Sequence, residues 1–354
     1  MQPAGARASR QRDTIHDMKS IFAAGCLLVA ATALAQRKPG NPLEHLPPNI
    51  EILSHFGERA DISPDNRKIA FMNKSFGDAF TIDLQTRVIR CLTCNVPGAA
   101  FLRVMHLITG DYILIGPDHF ENIRISRTRD NELWFLSKEP GSKPVKMGQR
   151  MSEGIAISKK SMLVAFSVLP PQDPSLGQGS RLEVAEVSIS GGAAKLVGKK
   201  VVHTSPDAGC RLESQDFYDD DKMLTFTCYE PQGLGSAMKL NLASGQATNL
   251  SKAPGSYNEI EGIFPDGEST LVEADRQCEK LGGKRGSGNI DIWRLWMDGT
   301  GKRFSRLTFF NDYEGGKASN PVVSTDGSFM AFQYARTTDP AGVGYGLLLY
   351  KFKK

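Results

Sequence analysis

Short runs of apolar, β-branched and aromatic residues, each broken by a polar turn, recur along this chain from about residue 50 onward. The clearest copies are Ala60-Asp-Ile-Ser-Pro-Asp-Asn-Arg-Lys-Ile-Ala-Phe71, Glu261-Gly-Ile-Phe-Pro-Asp-Gly-Glu-Ser-Thr-Leu-Val272 and Asn320-Pro-Val-Val-Ser-Thr-Asp-Gly-Ser-Phe-Met-Ala-Phe332. Weaker copies lie at residues 154–166 and 213–226, and the weakest at 101–115. Pro-Asp-Gly and its relatives provide a preset φ and a residue that tolerates the left-handed region, which a chain reversal requires. The apolar run that follows each turn reads as the return strand of a hairpin.

With the turn aspartate or its equivalent as an anchor, the copies fall at Asp65, Thr109, Lys160, Asp220, Asp266 and Asp326, spaced by 44, 51, 60, 46 and 60 residues. Each hairpin leaves room for two further strands, such as residues 79–84 and 88–92, or 290–297 and 305–309. Four antiparallel strands per unit make a propeller blade, and six anchors predict six blades. After Asp326 the chain has room for about two more strands. Residues 50–56 stand before the first hairpin as residues 306–310 stand before the last. The expectation is an all-β, six-bladed β-propeller over residues 50–354, its last blade closed by an N-terminal strand that hides the sheet edges.

The Ser-Pro-Asp-Asn-Arg-Lys-Ile-Ala-Phe and Pro-Asp-Gly signatures resemble the repeats of TolB-like and WD-like propellers, and those of the propeller domain of dipeptidyl-peptidase-type enzymes. The resemblance implies architecture over nearly all of the chain after residue 50. It does not carry an activity, because functions are grafted onto such scaffolds. No Gly-x-Ser-x-Gly elbow, HExxH, Walker loop or dinucleotide fingerprint accompanies it.

The N-terminus adds a compartment. Met18-Lys19-Ser20 precedes a short apolar run that ends in Ala33-Leu34-Ala35, the small-x-small pattern of a signal-peptidase site. Residues 1–35 are therefore expected to be a signal peptide with an N-terminal extension, and 36–49 a short linker. The run is short for a membrane span, which needs roughly 20 apolar residues. Ala24-Gly25-Cys26 resembles a lipoprotein box, but too little apolar sequence precedes it. Cleavage would remove Arg7, Arg10, Arg12 and Lys19 with Asp13 and Asp17, a net +2 out of the formal +4. A chain so near neutrality, without a basic stripe, is not expected to bind nucleic acid. The expected product is a periplasmic or secreted monomer with no membrane span.

Five cysteines follow the cleavage site. Cys91 and Cys94 have CxxC spacing without a second pair or histidines to complete a zinc site, so a local disulfide or two buried thiols is expected. Cys210 and Cys228 fall within about one register step of each other across the fourth hairpin, close enough for a cross-strand disulfide.

Candidate chemistry comes from aligning the repeats. Seven residues before each anchor stand Glu58, Leu102, Glu153, Glu213, Glu259 and Ser319, where the innermost strands begin. Equivalent positions should ring one mouth of the central channel, and four convergent carboxylates there need compensation by arginines or a cation. Arg59 and Arg103 follow directly in sequence, with Gln215, Glu261 and Asn320 nearby. The alternatives are a site for a metal or polar ligand and a salt-bridge network tying the blades together. A calcium site would need six or more oxygens, which such a ring could supply with water. Paired carboxylates also suit acid/base chemistry on a polysaccharide. His106 and His119 read as ordinary polar residues. The glycine-rich residues 282–288 read as an inter-strand loop, and the polar residues 312–320 as a blade connection able to hold binding groups. Two functions follow: a binding scaffold for an envelope protein, peptide or glycan, and a carbohydrate-active hydrolase or lyase.

Overall fold

The computed structural model describes residues 36–339 and 342–353; the expected signal peptide lies outside the described residues. Six four-stranded antiparallel sheets form a six-bladed propeller. The innermost strands are Glu58–Ile62, Arg103–His106, Ile155–Ile157, Arg211–Tyr218, Asn258–Ile263 and Gly316–Val323, in blades 1 to 6. All six anchors fall in the turn between the first and second strands of their blades. The residue after the anchor has positive φ in five of them, namely Asn66, Gly110, Asp221, Gly267 and Gly327. In blade 1 the turn is fastened by Ser63, whose Oγ donates to Asp65 Oδ1 at 2.6 Å and accepts from the Lys68 N–H at 2.9 Å.

Blade 6 is closed as expected. Strand β1 (Ile50–Ser54) pairs antiparallel with the last strand, Leu347–Lys351, through Ile50 opposite Tyr350 and Ile52 opposite Leu348. Outer strands are shorter than the sequence suggests: that of blade 5 spans Phe304–Arg306, because the chain then turns inward through Phe310 to start the next blade. Residues 36–49 are tethered rather than loose. Arg37 donates from Nε to the Asn311 carbonyl at 3.0 Å and from Nη2 to the Gly282 carbonyl at 3.0 Å.

The blades pack through one repeated side chain. Six residues after the anchor, on the second strand, stand Phe71, Phe166, Phe226 and Phe332, all buried, with Ile115 and Val272 in the remaining two blades. Burying such a ring contributes about 1.5–3 kcal/mol each, which a lone blade with two exposed faces could not realise.

One residue further along, the second strand carries a polar clasp. In blades 1, 4, 5 and 6 the innermost strand bulges near its start, which frees one backbone N–H from the ladder. The preceding blade satisfies that donor in each case. Gln333 Oε1 accepts from Arg59 N at 2.6 Å, Ser167 Oγ from Ser214 N at 2.9 Å, Thr227 Oγ1 from Ile260 N at 3.1 Å, and Glu273 Oε1 from Asn320 N at 2.5 Å. All four acceptors stand seven residues after their anchors. Buried backbone donors must be paired, so this position is polar wherever the next blade bulges.

Candidate channel-mouth site

The bulges aim side chains. Arg59 and Asn320 sit at the bulge with φ of 53° and 48°, in the left-handed region that non-glycine residues seldom adopt. Both side chains line a cavity of about 460 Å³ at the channel mouth. Beneath it a narrower space of about 60 Å³ continues along the axis, and Arg59 and Arg103 line both.

The sequence-derived residues separate into three places. Arg59, Arg103, Glu153, Glu213, Glu259 and Asn320 line the mouth. Gln215 and Glu261 line the narrower space below, with Arg59 and Arg103 at the junction. Glu58 is not in the cavity wall: it is buried behind Gly342, with Oε1 accepting from Ser75 Oγ at 2.6 Å. The bulge between Glu58 and Asp61 is the reason, since one extra residue sends Glu58 to the far side of the strand and Arg59 into the channel. His106 is buried between blades, its Nδ1 2.8 Å from Asp61 Oδ2, and His119 lines a separate depression.

Around the mouth, charge is divided unequally. On one side Arg127 grips Glu153 through both Nε and Nη2. Burial pushes the Glu153 carboxyl up, but the neighbouring Arg127 and Arg59 charges outweigh it and hold the group below the usual carboxylate range. On the other side carboxylates crowd together. One carboxylate oxygen from each of Glu259, Glu261 and Glu273 lies within 4.8 Å of the others. Burial, then the charge on Glu259, raises Glu273 to about 8. Burial, then Glu259 and Glu273, holds Glu261 well above its ordinary value. Burial, then Glu153 and Glu259, raises Glu213 to about 8. Glu259 is pinned by the hydroxyls of Tyr229 and Tyr257, both of which donate to it. The trio could hold a divalent cation, whose charge would relieve this repulsion.

Deeper along the axis Asp61 bridges the Lys159 ammonium at 2.7 Å and His106. Burial opposes its charge, yet Lys159 and the His106 hydrogen bond bring it to about 2. Asp216 accepts from the Ile263 N–H at 3.3 Å but pairs with no cation among the described residues, and burial raises it to about 7.

Several residues of the site escaped the repeat alignment. Arg127 lies in an insertion between the second and third strands of blade 2, held in a helical turn whose cap is Asn122. Glu273 could have been found by symmetry, because it stands seven residues after Asp266 as Glu259 stands seven before, and the two are register partners. Arg211, Lys317 and Arg336 reach the mouth from strand ends, the first two at the start of the innermost strands of blades 4 and 6 and Arg336 at the end of the second strand of blade 6. Residues 312–320 do supply wall groups, through Lys317, Ser319 and Asn320. Both expected cysteine pairs are bonded, Cys91 with Cys94 and Cys210 with Cys228, and Cys278 is free and buried.

Fold and site together define a six-bladed propeller with a charged, partly unpaired channel mouth. Among solved structures it is similar to a putative TolB from Agrobacterium tumefaciens, 16% identical over 77% of this chain and 97% of that one, with a TM-score of 0.48. It is also similar to TolB from Acinetobacter baumannii (16% identity, 77% and 61% covered, TM-score 0.45) and to the WD40 repeats of RRP9 (9% identity, 86% and 98% covered, TM-score 0.48). At these identities the likeness is one of architecture alone. No protein-family model and no curated protein matches the chain.

Proposed function

We propose that this protein is an exported binding scaffold of the cell envelope that receives a polar segment of a protein, peptide or glycan in the mouth of its channel. The observation that carries the reading is the mouth cavity itself, walled by guanidinium and carboxyl groups that do not fully satisfy one another. Rigid blades hold these groups in place without a ligand, so little ordering is required on binding. Export is supported by the apolar segment before Ala35 and by two disulfides, which persist in oxidising compartments. No helix among the described residues is long and apolar enough to cross a membrane. A calcium ion held at Glu259, Glu261 and Glu273 is a further element of the reading. It predicts that added calcium raises the melting temperature, and that Glu213→Gln with Glu259→Gln abolishes the rise.

A second reading has its own support. Glu153 is held ionised and Glu213 is raised to about 8 in one cavity, and carboxyls driven apart in this way suit a general base and a general acid. That would make the protein a carbohydrate-active hydrolase or lyase. A panel of peptides and glycans incubated with the protein, scored for binding by calorimetry and for cleavage by mass spectrometry, separates the two. Stoichiometric binding without cleavage supports the scaffold. Cleavage that disappears in Glu213→Gln supports the enzyme, and neither binding nor cleavage sinks both.

A further inference from the structure

Arg59 is the most unusual group in the channel. Its side chain is 7% exposed, yet among the described residues its guanidinium donates no hydrogen bond, and its Nε is buried without a partner. The nearest carboxylate oxygens are Glu58 Oε1 at 3.6 Å and Glu153 Oε2 at 3.9 Å, too far for hydrogen bonds. Glu58 Oε1 accepts from Ser75 while its Oε2 is buried without a partner among the described residues, and Glu153 is gripped by Arg127. Arg103 repeats the pattern in the next blade: its Nε is buried and unpartnered, and among the described residues no carboxylate lies within ion-pair distance.

A guanidinium presents five donors in a fixed planar fork that matches a carboxylate edge. Burying such donors without hydrogen bonds is costly, and here the Nε groups of two arginines are buried and unpartnered at one neck. They also oppose each other, since after burial itself the charge on Arg103 is the largest influence lowering Arg59. The carboxyls across the channel do not resolve the conflict. Glu259 is engaged by two tyrosine hydroxyls, and although the charges of Glu261, Glu153, Glu213 and Glu259 favour the charged form of Arg103, among the described residues none of them reaches hydrogen-bond distance of either fork. Two forks with open donors at one neck match an anion with two coplanar acceptors.

We propose that the neck of the channel is a receptor for a carboxylate carried by a peptide, either a C-terminal carboxylate or an acidic side chain, gripped by the guanidinium forks of Arg59 and Arg103. The proposal rests on the scaffold reading above and deepens it by naming the group that enters. A peptide fits better than a sugar acid because the mouth offers no free aromatic face for a pyranose ring. Its aromatic residues are Tyr229 and Tyr257, both buried and tied to Glu259, and Arg211 covers the Tyr229 ring at 5.1 Å.

The test is calorimetric titration of the full chain with N-acetyl-dialanine, its C-terminal amide, N-acetyl-aspartate amide and glucuronic acid. The expected result is that a peptide carboxylate binds at least ten-fold more tightly than the amide. Arg103→Gln should erase that preference, and Arg103→Lys should restore only part of it, because lysine returns the charge without the fork. Among the described residues the Arg103 side chain makes no hydrogen bond that a variant would lose, so these proteins should fold, and Arg59→Gln provides the second position. Equal affinity for acid and amide overturns the carboxylate receptor while leaving the scaffold standing. Binding of glucuronic acid with neither peptide acid bound overturns the peptide assignment. Absence of binding by all four probes counts against the scaffold reading and the receptor together.

Discussion

The residue that most rewards attention is Glu213, because its titration can be followed without knowing a ligand. A carboxyl raised to about 8 by burial and by Glu153 and Glu259 binds its proton more tightly in the folded chain than in the unfolded one. Stability from that proton is complete below the ordinary carboxylate range and is lost as pH rises toward 8. Glu273 behaves in the same sense. Asp61, lowered to about 2, has the opposite sign: its contribution is present at neutral pH and is lost as pH falls from about 4 to 2. The expected profile is a melting temperature that declines between about pH 5 and 8, and a Glu213→Gln variant in which that decline is reduced by a few degrees. A variant as steep as the parent would show that Glu213 does not hold its proton. Gly342 offers a steric test at the same scale. A Cβ there would lie 1.7 Å from Glu58 Oε2 in a buried pocket, so Gly342→Ala should destabilise the chain, read as a lower denaturant midpoint.

At the scale of elements, the seam between blades is the unit that sequence pattern both reveals and conceals. The anchors, the hairpins and the buried ring six residues beyond each anchor are legible because local turn chemistry and strand periodicity act within a few residues. The clasps are not, since an inserted residue on one strand and its acceptor on the neighbouring blade are 33 to 47 residues apart or, at the closing seam, 274. For the same reason the aligned glutamates were legible as a group while their facing was not: a bulge reverses alternation locally, turning Glu58 out of the channel and Arg59 into it. Gln333→Ala should cost about 1–3 kcal/mol, because it strands the buried Arg59 N–H. Glu273→Gln keeps an acceptor for Asn320 and removes a repelled carboxyl, so it should leave stability equal or higher. Chemical denaturation of the two variants checks the contrast.

For the whole molecule, closure is what makes six small sheets cooperative. Each blade hides its apolar faces only against its neighbours, and blade 6 exists only when Ile50–Ser54 meets Leu347–Lys351. Removing residues 36–54 should therefore lower the melting temperature, broaden the transition, and leave an edge strand that promotes association, visible by light scattering. The fold was legible in the sequence because it repeats, and repetition lets weak local signals reinforce one another. The charge imbalance at the mouth was not, because it arises where strands from different blades converge and an insertion in blade 2 delivers Arg127 to a carboxylate of blade 3.

The pairing of Ile50–Ser54 with Leu347–Lys351 also orders events in time. In sequence order the fastener precedes every blade and its partner strand follows the rest of the ring, which closes only when the two meet. Until then the ring stays open and the channel has no complete wall, so neither Arg59 nor its Gln333 clasp can reach its final setting. Any ligand-binding capacity of the mouth appears in one step as the ring closes, not gradually as blades accumulate.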